Sequence, residues 1–240
     1  MFNFFKKNKN KETIINNVST DAITDNDVIK KINLNKEEVN KICLKKKPLI
    51  SLKAKVKLVL DYSGSMHWFY DDGTIQEVVE KIVPLALQFD DDGELEVYLF
   101  SDDVKQIKNC NINNVNGYVE KYANWEYGGT EYSPVIKKIS KNCKNDLPEY
   151  IIFITDGDNS DKLDTTIAIK EVSKKPIFFQ FIGVGNSKFK YLEQLDDMRG
   201  RYVDNADFFK VSKMSDITYN KLLTEFPTWL ENEKVKDMLK

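Results

Sequence analysis

The sequence predicts an α/β fold, a doubly wound and mostly parallel sheet with helices on both faces. From residue 56 onward, short apolar runs alternate with amphipathic stretches of helical period. Strands that are joined by helices pair in parallel through right-handed crossovers, which places helices on both faces of the sheet. The chain has 240 residues, enough for one such domain with an appendage.

Five segments are predicted to form strands. Four are apolar runs typical of buried parallel strands, and the fifth is a short candidate edge strand. They are 56–61, 95–100, 150–155, 177–182 and 201–203. Helices are predicted at 75–88, 115–123, 131–142, 163–174, 188–197 and 216–231. Pro84 should kink or divide the first of these helices, because proline removes a backbone hydrogen bond.

Residues 1–50 are predicted to be a Lys- and Asn-rich extension, partly disordered. Residues 1–53 carry a formal charge of +6 and the remainder −8. Residues 1–30 show little periodicity and are expected to be disordered or loosely attached. Asn35 is a candidate cap for a short helix over 36–45, although short strands fit the same residues. The main domain is placed at 54–231, with a C-terminal tail at 232–240.

Composition argues against several functional classes. Arginine occurs only at positions 199 and 201, so specific nucleic-acid recognition is not expected. The three cysteines have neither a disulfide nor a zinc spacing. The single histidine, His67, would have to carry most Ser-His or Cys-His catalysis. No stretch approaches the ~20 apolar residues of a membrane span, and the N-terminus is a poor signal peptide, so a cytoplasmic location is expected.

Three polar segments at or near the carboxyl ends of the predicted strands carry the candidate metal ligands. They supply Asp61, Ser63 and Ser65, then Thr130, and finally Asp156. In a doubly wound sheet, ligands bind beyond this edge. Two carboxylates and three hydroxyls are oxygen ligands, which suit Mg²⁺ most readily and are also compatible with Mn²⁺ or Ca²⁺. The sequence therefore predicts a divalent-cation site built from these five residues.

These residues also carry a resemblance to a known family. Asp61-x-Ser63-x-Ser65, Thr130 and Asp156 resemble the metal-ion-dependent adhesion site (MIDAS) of von Willebrand factor A (vWA) domains, over about residues 54–231. Further segments are similar to the vWA domains of bacterial tellurium-resistance and stress-response proteins. These segments are 59–66, 89–95, 128–132, 154–161, 204–208 and 226–230.

The resemblance implies a Rossmann-like α/β sandwich and a role without catalysis. It implies that the five residues bind the ion directly or through water, leaving a position for an acidic side chain of another protein. The expected function is therefore a metal-dependent protein-binding module, an adaptor or scaffold in a bacterial stress or tellurium-resistance response. The resemblance leaves the oligomeric state and the identity of the partner open.

Two alternatives remain at this point. A magnesium-dependent phosphohydrolase also begins with an apolar strand ending in Asp, but it needs a second acid two positions later, where this chain has Ser63. A structural vWA protein without a metal-mediated ligand is the other alternative. Asp158 and Asp161 are interpreted as loop or capping residues. The aromatic residues at 68–70, 125 and 127 are mostly expected to pack, with some forming a partner-facing rim.

Overall fold

The computed structural model describes residues 25–239, which contain one six-stranded sheet. The strands are β1 (Lys55–Asp61), β2 (Glu96–Phe100), β3 (Val104–Gln106), β4 (Glu149–Thr155), β5 (Ile177–Val184) and β6 (Ala206–Val211). Their order is β3-β2-β1-β4-β5-β6, and only the β2–β3 pair is antiparallel. The predicted mostly parallel sheet is confirmed.

Ten α-helices of residues 25–239 surround the sheet. They are α1 (Asp25–Cys43), α2 (His67–Asp71), α3 (Thr74–Phe89), α4 (Tyr118–Tyr122), α5 (Ser133–Asn142), α6 (Lys162–Val172), α7 (Lys190–Asp196), α8 (Tyr219–Leu222), α9 (Phe226–Leu230) and α10 (Glu233–Met238). Alternate residues of the central strands enter two separate apolar cores. Helices α1, α3 and α8 to α10 bury residues in one core, whereas α5, α6 and α7 bury residues in the other. Helices therefore cover both faces, as predicted.

Helix α1 corrects the expectation for the N-terminal segment. It begins at Asp25, ten residues before the expected Asn35 cap, so residues 25–30 are ordered and helical. Its buried face includes Val28, Ile32, Val39 and Ile42, which join the core that contains α3. The burial of this stripe, rather than helix propensity, accounts for a long helix in a polar sequence. The remainder of the expected disordered segment, 1–24, lies outside the described residues.

Three other expectations about elements differ from the structure. Helix α3 is one helix across Pro84, so the predicted division is wrong. The edge strand is β6 and not 201–203, where Arg201 instead pairs with Asp204 at 2.7 Å. The predicted helix 216–231 is two short helices, α8 and α9. Pro227 lies in the first turn of α9, where its missing N–H costs no intrahelical bond.

Strands β1 and β4 lie side by side at the centre of the sheet, and the order in which the chain adds strands changes direction between them. Ligands bind in doubly wound folds at such a switch point, beyond the carboxyl ends of the strands. The register pairs Leu60 of β1 with Ile154 of β4, so Asp61 and Thr155 end adjacent strands at the same level. In residues 25–239, no helix is long and apolar enough to cross a membrane.

Candidate metal centre

Asp61 forms the floor of the candidate site. It is fully buried at the end of β1, and both of its carboxylate oxygens accept hydrogen bonds. Oδ1 accepts from the backbone N–H of Ser63 at 2.8 Å, and Oδ2 accepts from Thr155 Oγ1 at 2.6 Å. The Asp61 carboxylate is therefore held by the loop after β1 and by the end of β4, which fixes its orientation.

A chain of hydrogen bonds extends from this floor to the surface. Ser63 Oγ lies 3.1 Å from Ser65 Oγ, and Ser65 Oγ donates to Asp156 Oδ1 at 2.8 Å. Ser63 is buried, Ser65 is exposed, and Asp156 is half-buried. The structure thus brings four of the five predicted ligands together, from two loops that are distant in sequence.

Thr130 lies on a third loop between these two loops. Gly128, two residues earlier, forms a bridge with Ser63, and its carbonyl accepts from the N–H of Gly64 at 3.3 Å. On the other side, the Thr130 carbonyl accepts from the N–H and Oγ of Ser160, at 2.9 and 3.1 Å. The backbone of Thr130 therefore joins the loop after β1 to the loop after β4.

The two glycines of the third loop allow it to approach β2 closely. A Cβ at Gly129 would lie 2.3 Å from Asp102 Oδ1, and a Cβ at Gly128 would lie 2.9 Å from Ser101 Oγ. Asp102 Oδ1 also accepts from the Gly129 N–H at 3.0 Å. A larger residue at Gly129 would force the exposed Asp102 side chain away, and one at Gly128 would press on buried Ser101.

Asp161 fixes the position of the third loop relative to α5. Its Oδ1 accepts from the N–H of Tyr132 at 2.9 Å, and its Oδ2 accepts from the N–H of Ser133 at 2.8 Å. These N–H groups at the start of α5 have no partner within the helix, so Asp161 caps α5 from another loop. The predicted capping role of Asp161 is confirmed. Asp158 accepts from the N–H of Tyr191 at 3.2 Å, at the start of α7.

Sequence reasoning missed Thr155 as a supporting residue. Its neighbour Asp156 was assigned as a ligand, whereas Thr155 was treated only as the end of a strand. A signal was nevertheless present. The apolar runs of β1 and β4 both end in a polar residue, and two neighbouring parallel strands bring such ends together.

The electrostatics of the site favour a cation. Burial raises the pKa of Asp61 to about 6, although hydrogen bonds from Thr155 and Ser63 act to lower it. Within residues 25–239, no lysine, arginine or histidine forms an ion pair with Asp61 or Asp156. A buried carboxylate whose polar partners are all neutral is costly, and a divalent cation would compensate for it. The oxygen donors therefore fit such an ion.

Carboxylates are sparse at this site. In the described part of the chain, no cluster of three or more His, Cys, Asp or Glu side chains is placed to hold a metal. The candidate centre has only two carboxylates, and its other predicted donors are hydroxyls. This composition suits a hard cation such as Mg²⁺ that keeps part of its coordination for water or for another molecule.

Aromatic residues lie beside the site. Tyr62 stacks on Tyr127 with ring centroids 4.4 Å apart, and Tyr70 packs edge-on against Tyr62 at 4.6 Å. The Tyr70 hydroxyl donates to the carbonyl of Asp61 at 2.9 Å. Trp68 is 74% exposed and Tyr127 is 37% exposed. Tyr70 therefore packs, as expected for most of these aromatic residues, whereas Trp68 and Tyr127 remain accessible beside the site.

Comparison with known proteins supports this description. A family model described as the vWA domain found in the TerF C terminus, vWA-TerF-like, matches residues 53–239. The uncharacterized protein YcbR of Bacillus subtilis (strain 168) is 36% identical over 222 residues, which covers 87% of this chain and 90% of YcbR. The fold and the site at its switch point define a vWA domain. The chain belongs to the vWA-TerF-like family.

Solved structures show the same fold at low sequence identity. Proximal thread matrix protein 1 from the mussel byssus is 17% identical, with a TM-score of 0.52. The match covers 71% of this chain and 44% of the mussel chain, so this chain spans less than half of that protein. A second structure of the mussel protein, also with a TM-score of 0.52 and at 16% identity, has a zinc-occupied MIDAS motif.

Proposed function

We propose that this protein is a divalent-cation-dependent protein-binding module that captures an acidic side chain of its partner. The observation that carries the proposal is the hydrogen-bonded chain from buried Asp61 through Ser63 and Ser65 to Asp156. This chain of contacts leads from the buried end of β1 to the protein surface. A partner would meet exposed Ser65 at its outer end.

Asp61, Ser63, Ser65, Thr130 and Asp156 would hold the ion, with Mg²⁺ favoured and Mn²⁺ or Ca²⁺ also compatible. When bound, such an ion supplies Lewis acidity toward an Asp or Glu carboxylate of the partner. The chain's own residues orient the donors: Thr155 holds Asp61, and Asp161 holds the start of α5 next to Thr130. Exposed Trp68 and Tyr127 provide apolar contact area beside the site, as aromatic residues do at the centres of interfaces.

The cellular role that we propose is that of a cytoplasmic adaptor or scaffold in a bacterial stress or tellurium-resistance response. The vWA-TerF-like family supports the link to tellurium resistance, and the relative in Bacillus subtilis supports a bacterial setting. A protein-binding role agrees with a site that has few carboxylates and lies at an exposed edge of the sheet.

We propose that the protein is not an enzyme. A phosphohydrolase would need an acid at the position of Ser63, two residues after Asp61. The single histidine, His67, has its Nε2 3.1 Å from Asp71 Oδ2, and both residues belong to α2. The serine at position 63, where a phosphohydrolase needs an acid, supports binding rather than phosphoester hydrolysis.

Capture of a partner from a lysate of the source cells tests the proposal. The immobilised protein is incubated with Mg²⁺ or with EDTA, as the wild type and as the Ser65→Ala and Asp156→Asn variants. Asp164→Asn is the matched control, because Asp164 is exposed in the first turn of α6 and does not belong to the site. We expect capture that requires Mg²⁺ and is lost only in the two site variants. Equal capture in EDTA would contradict the proposal.

A further inference from the structure

A cavity of about 490 Å³ lies next to the candidate metal centre. Tyr62, Tyr70 and Tyr127 form its aromatic part, and residues at the start of α4 and in the loop after it also line it. Tyr62 directly follows the metal-site residue Asp61, and Tyr127 directly precedes Gly128 of the third loop. The cavity and the candidate metal centre are therefore built on the same two loops.

The charge of the cavity is negative. Asp71 and Glu120 line it, and its lining contains no lysine or arginine. The Asp71 carboxylate pairs with the imidazole of His67, and within residues 25–239 no lysine or arginine forms an ion pair with Asp71 or Glu120. Both carboxylates are exposed, so Glu120 and the Asp71 oxygen that does not contact His67 can meet a cation of another molecule.

The tyrosine rings add a second preference for a cation. Aromatic faces attract ammonium and guanidinium groups through the ring quadrupole. In the described part of the chain, lysines lie over other aromatic rings, such as Lys121 over Tyr122 at 5.2 Å and Lys162 over Tyr191 at 5.7 Å. Among residues 25–239, no such cation lies over the three tyrosines of the cavity.

We infer that this cavity receives a basic side chain, lysine or arginine, of the protein whose carboxylate reaches the metal centre. The inference rests on the proposed function for the identity of that protein, but the chemistry of the cavity is independent of the metal. The partner's surface would therefore carry an acidic side chain for the ion and, beside it, a basic side chain for the tyrosine cavity. A partner with only acidic residues at the interface would leave Asp71 and Glu120 facing like charge.

The test uses N-acetyl-arginine methylamide as the probe and the full chain in EDTA, with binding followed by backbone amide shifts in NMR. The comparison compound is N-acetyl-citrulline methylamide, which has nearly the same shape without the charge. We expect saturable shifts at Gly73, Gly117 and Asn124, which line the cavity. Arginine should bind about 10-fold more tightly than citrulline, the scale of a cation–π contact joined by a carboxylate.

Variants assign this binding to the cavity. Asp71→Asn combined with Glu120→Gln should lower the affinity for the arginine probe several-fold. Tyr127→Leu should lower this affinity more than Tyr127→Phe does, because phenylalanine keeps the aromatic ring. Glu171→Gln, an exposed substitution in the last turn of α6, should change nothing. Equal binding of arginine and citrulline, or shifts confined to other residues, would overturn the inference. Because the probe has no carboxylate and EDTA removes the metal, failure here leaves the proposed metal site untouched.

Discussion

Ser65 Oγ donates a hydrogen bond of 2.8 Å to Asp156 Oδ1 across 91 positions of the sequence. The two residues follow β1 and β4, which are neighbours where the strand order reverses. No local turn joins them, so their contact depends on the pairing of the two strands. The candidate metal site is therefore a product of the tertiary fold, and the supporting residues of the sheet should control its affinity.

Thr155→Val should weaken metal binding. The substitution removes the hydroxyl that donates to Asp61 Oδ2 and leaves a buried carboxylate oxygen without that partner. We expect the free energy of unfolding to fall by about 1–3 kcal/mol. Mn²⁺ affinity should fall about 10–100-fold, as for other residues that orient a ligand. Urea unfolding and calorimetric titration measure the two effects.

The control for this prediction is Thr224→Val, which removes a hydroxyl from an exposed threonine in the C-terminal segment. It should leave the Mn²⁺ affinity at the wild-type value. Wild-type affinity in Thr155→Val as well would show that Asp61 does not depend on Thr155 for its orientation.

Asp161→Ala should loosen the third loop. The substitution removes both hydrogen bonds that cap α5, so two N–H groups lose their partner. The loss of a helix cap costs about 0.5–2 kcal/mol, measured by urea unfolding. Hydrogen exchange should also quicken at Tyr132 and Ser133. Asp164→Ala, in the first turn of α6, is the matched control, and equal exchange in both variants would refute the capping role.

A buried ion pair in the sheet predicts a contrast between two substitutions. Lys57 is 2% exposed in β1, and its Nζ lies 2.9 Å from Glu149 Oε2 and 3.4 Å from Glu96 Oε1. Lys57→Ala leaves a buried carboxylate without its cation and should cost about 3–5 kcal/mol. Urea unfolding at neutral pH measures this cost.

The double variant Lys57→Met with Glu149→Gln removes the buried cation and the buried carboxylate and keeps most of the volume, and it leaves only the Glu96 carboxylate, whose side chain is 26% exposed to water. Its loss of stability should be clearly smaller than that of Lys57→Ala, because no buried charge is left unpaired. If the double variant were as unstable as Lys57→Ala, packing rather than unpaired charge would explain the cost.

Asp196 should make stability depend on pH near neutrality. Burial, together with the charges of Asp207 and Asp204, raises the pKa of Asp196 to about 7. The folded protein then binds this proton more tightly than the unfolded chain, so the contribution of Asp196 to stability falls as the pH rises from about 4 to 7. Asp196→Asn should flatten this part of the profile and be more stable than the wild type at pH 8.

Thermal unfolding between pH 4 and pH 8 measures the Asp196 effect as a difference between variant and wild type, which cancels the other titrating groups. Asp164→Asn should follow the wild-type profile. A profile of Asp196→Asn parallel to that of the wild type would show that this carboxyl has an ordinary pKa.

The sequence predicted the elements whose signal is strong and local. The four central strands are apolar runs rich in residues that favour strands, and their predicted ends were correct within one residue, except that β5 extends two residues further, to Val184. Three-residue β3 was missed because so short a strand has no periodicity of its own. The edge strand was predicted at 201–203 instead of at β6. In the structure the Arg201 guanidinium contacts Asp204 and the carbonyl of Asp196, and residues 201–203 form no strand.

The length of helix α1 could not be predicted from its mostly polar sequence. Val28 and Ile32 are separated from Val39 by a stretch of mostly polar residues. The apolar residues after position 36 therefore predicted only a short helix over 36–45. The candidate ligands could be read from the sequence because each follows a recognisable strand or glycine pair. Their supports could be predicted only in part: a capping role of Asp161 was expected, but its partner Tyr132 and the contact of Thr155 with Asp61 depend on which elements are neighbours in the fold.

The central claim is that three loops hold one divalent cation. Anomalous diffraction from a crystal of the protein soaked in Mn²⁺ tests this claim most directly. We predict one strong anomalous peak enclosed by Asp61, Ser63, Ser65, Thr130 and Asp156, and no peak there in the Asp156→Asn variant. A wild-type crystal with no peak among these residues, or with its Mn²⁺ bound elsewhere, would contradict the account.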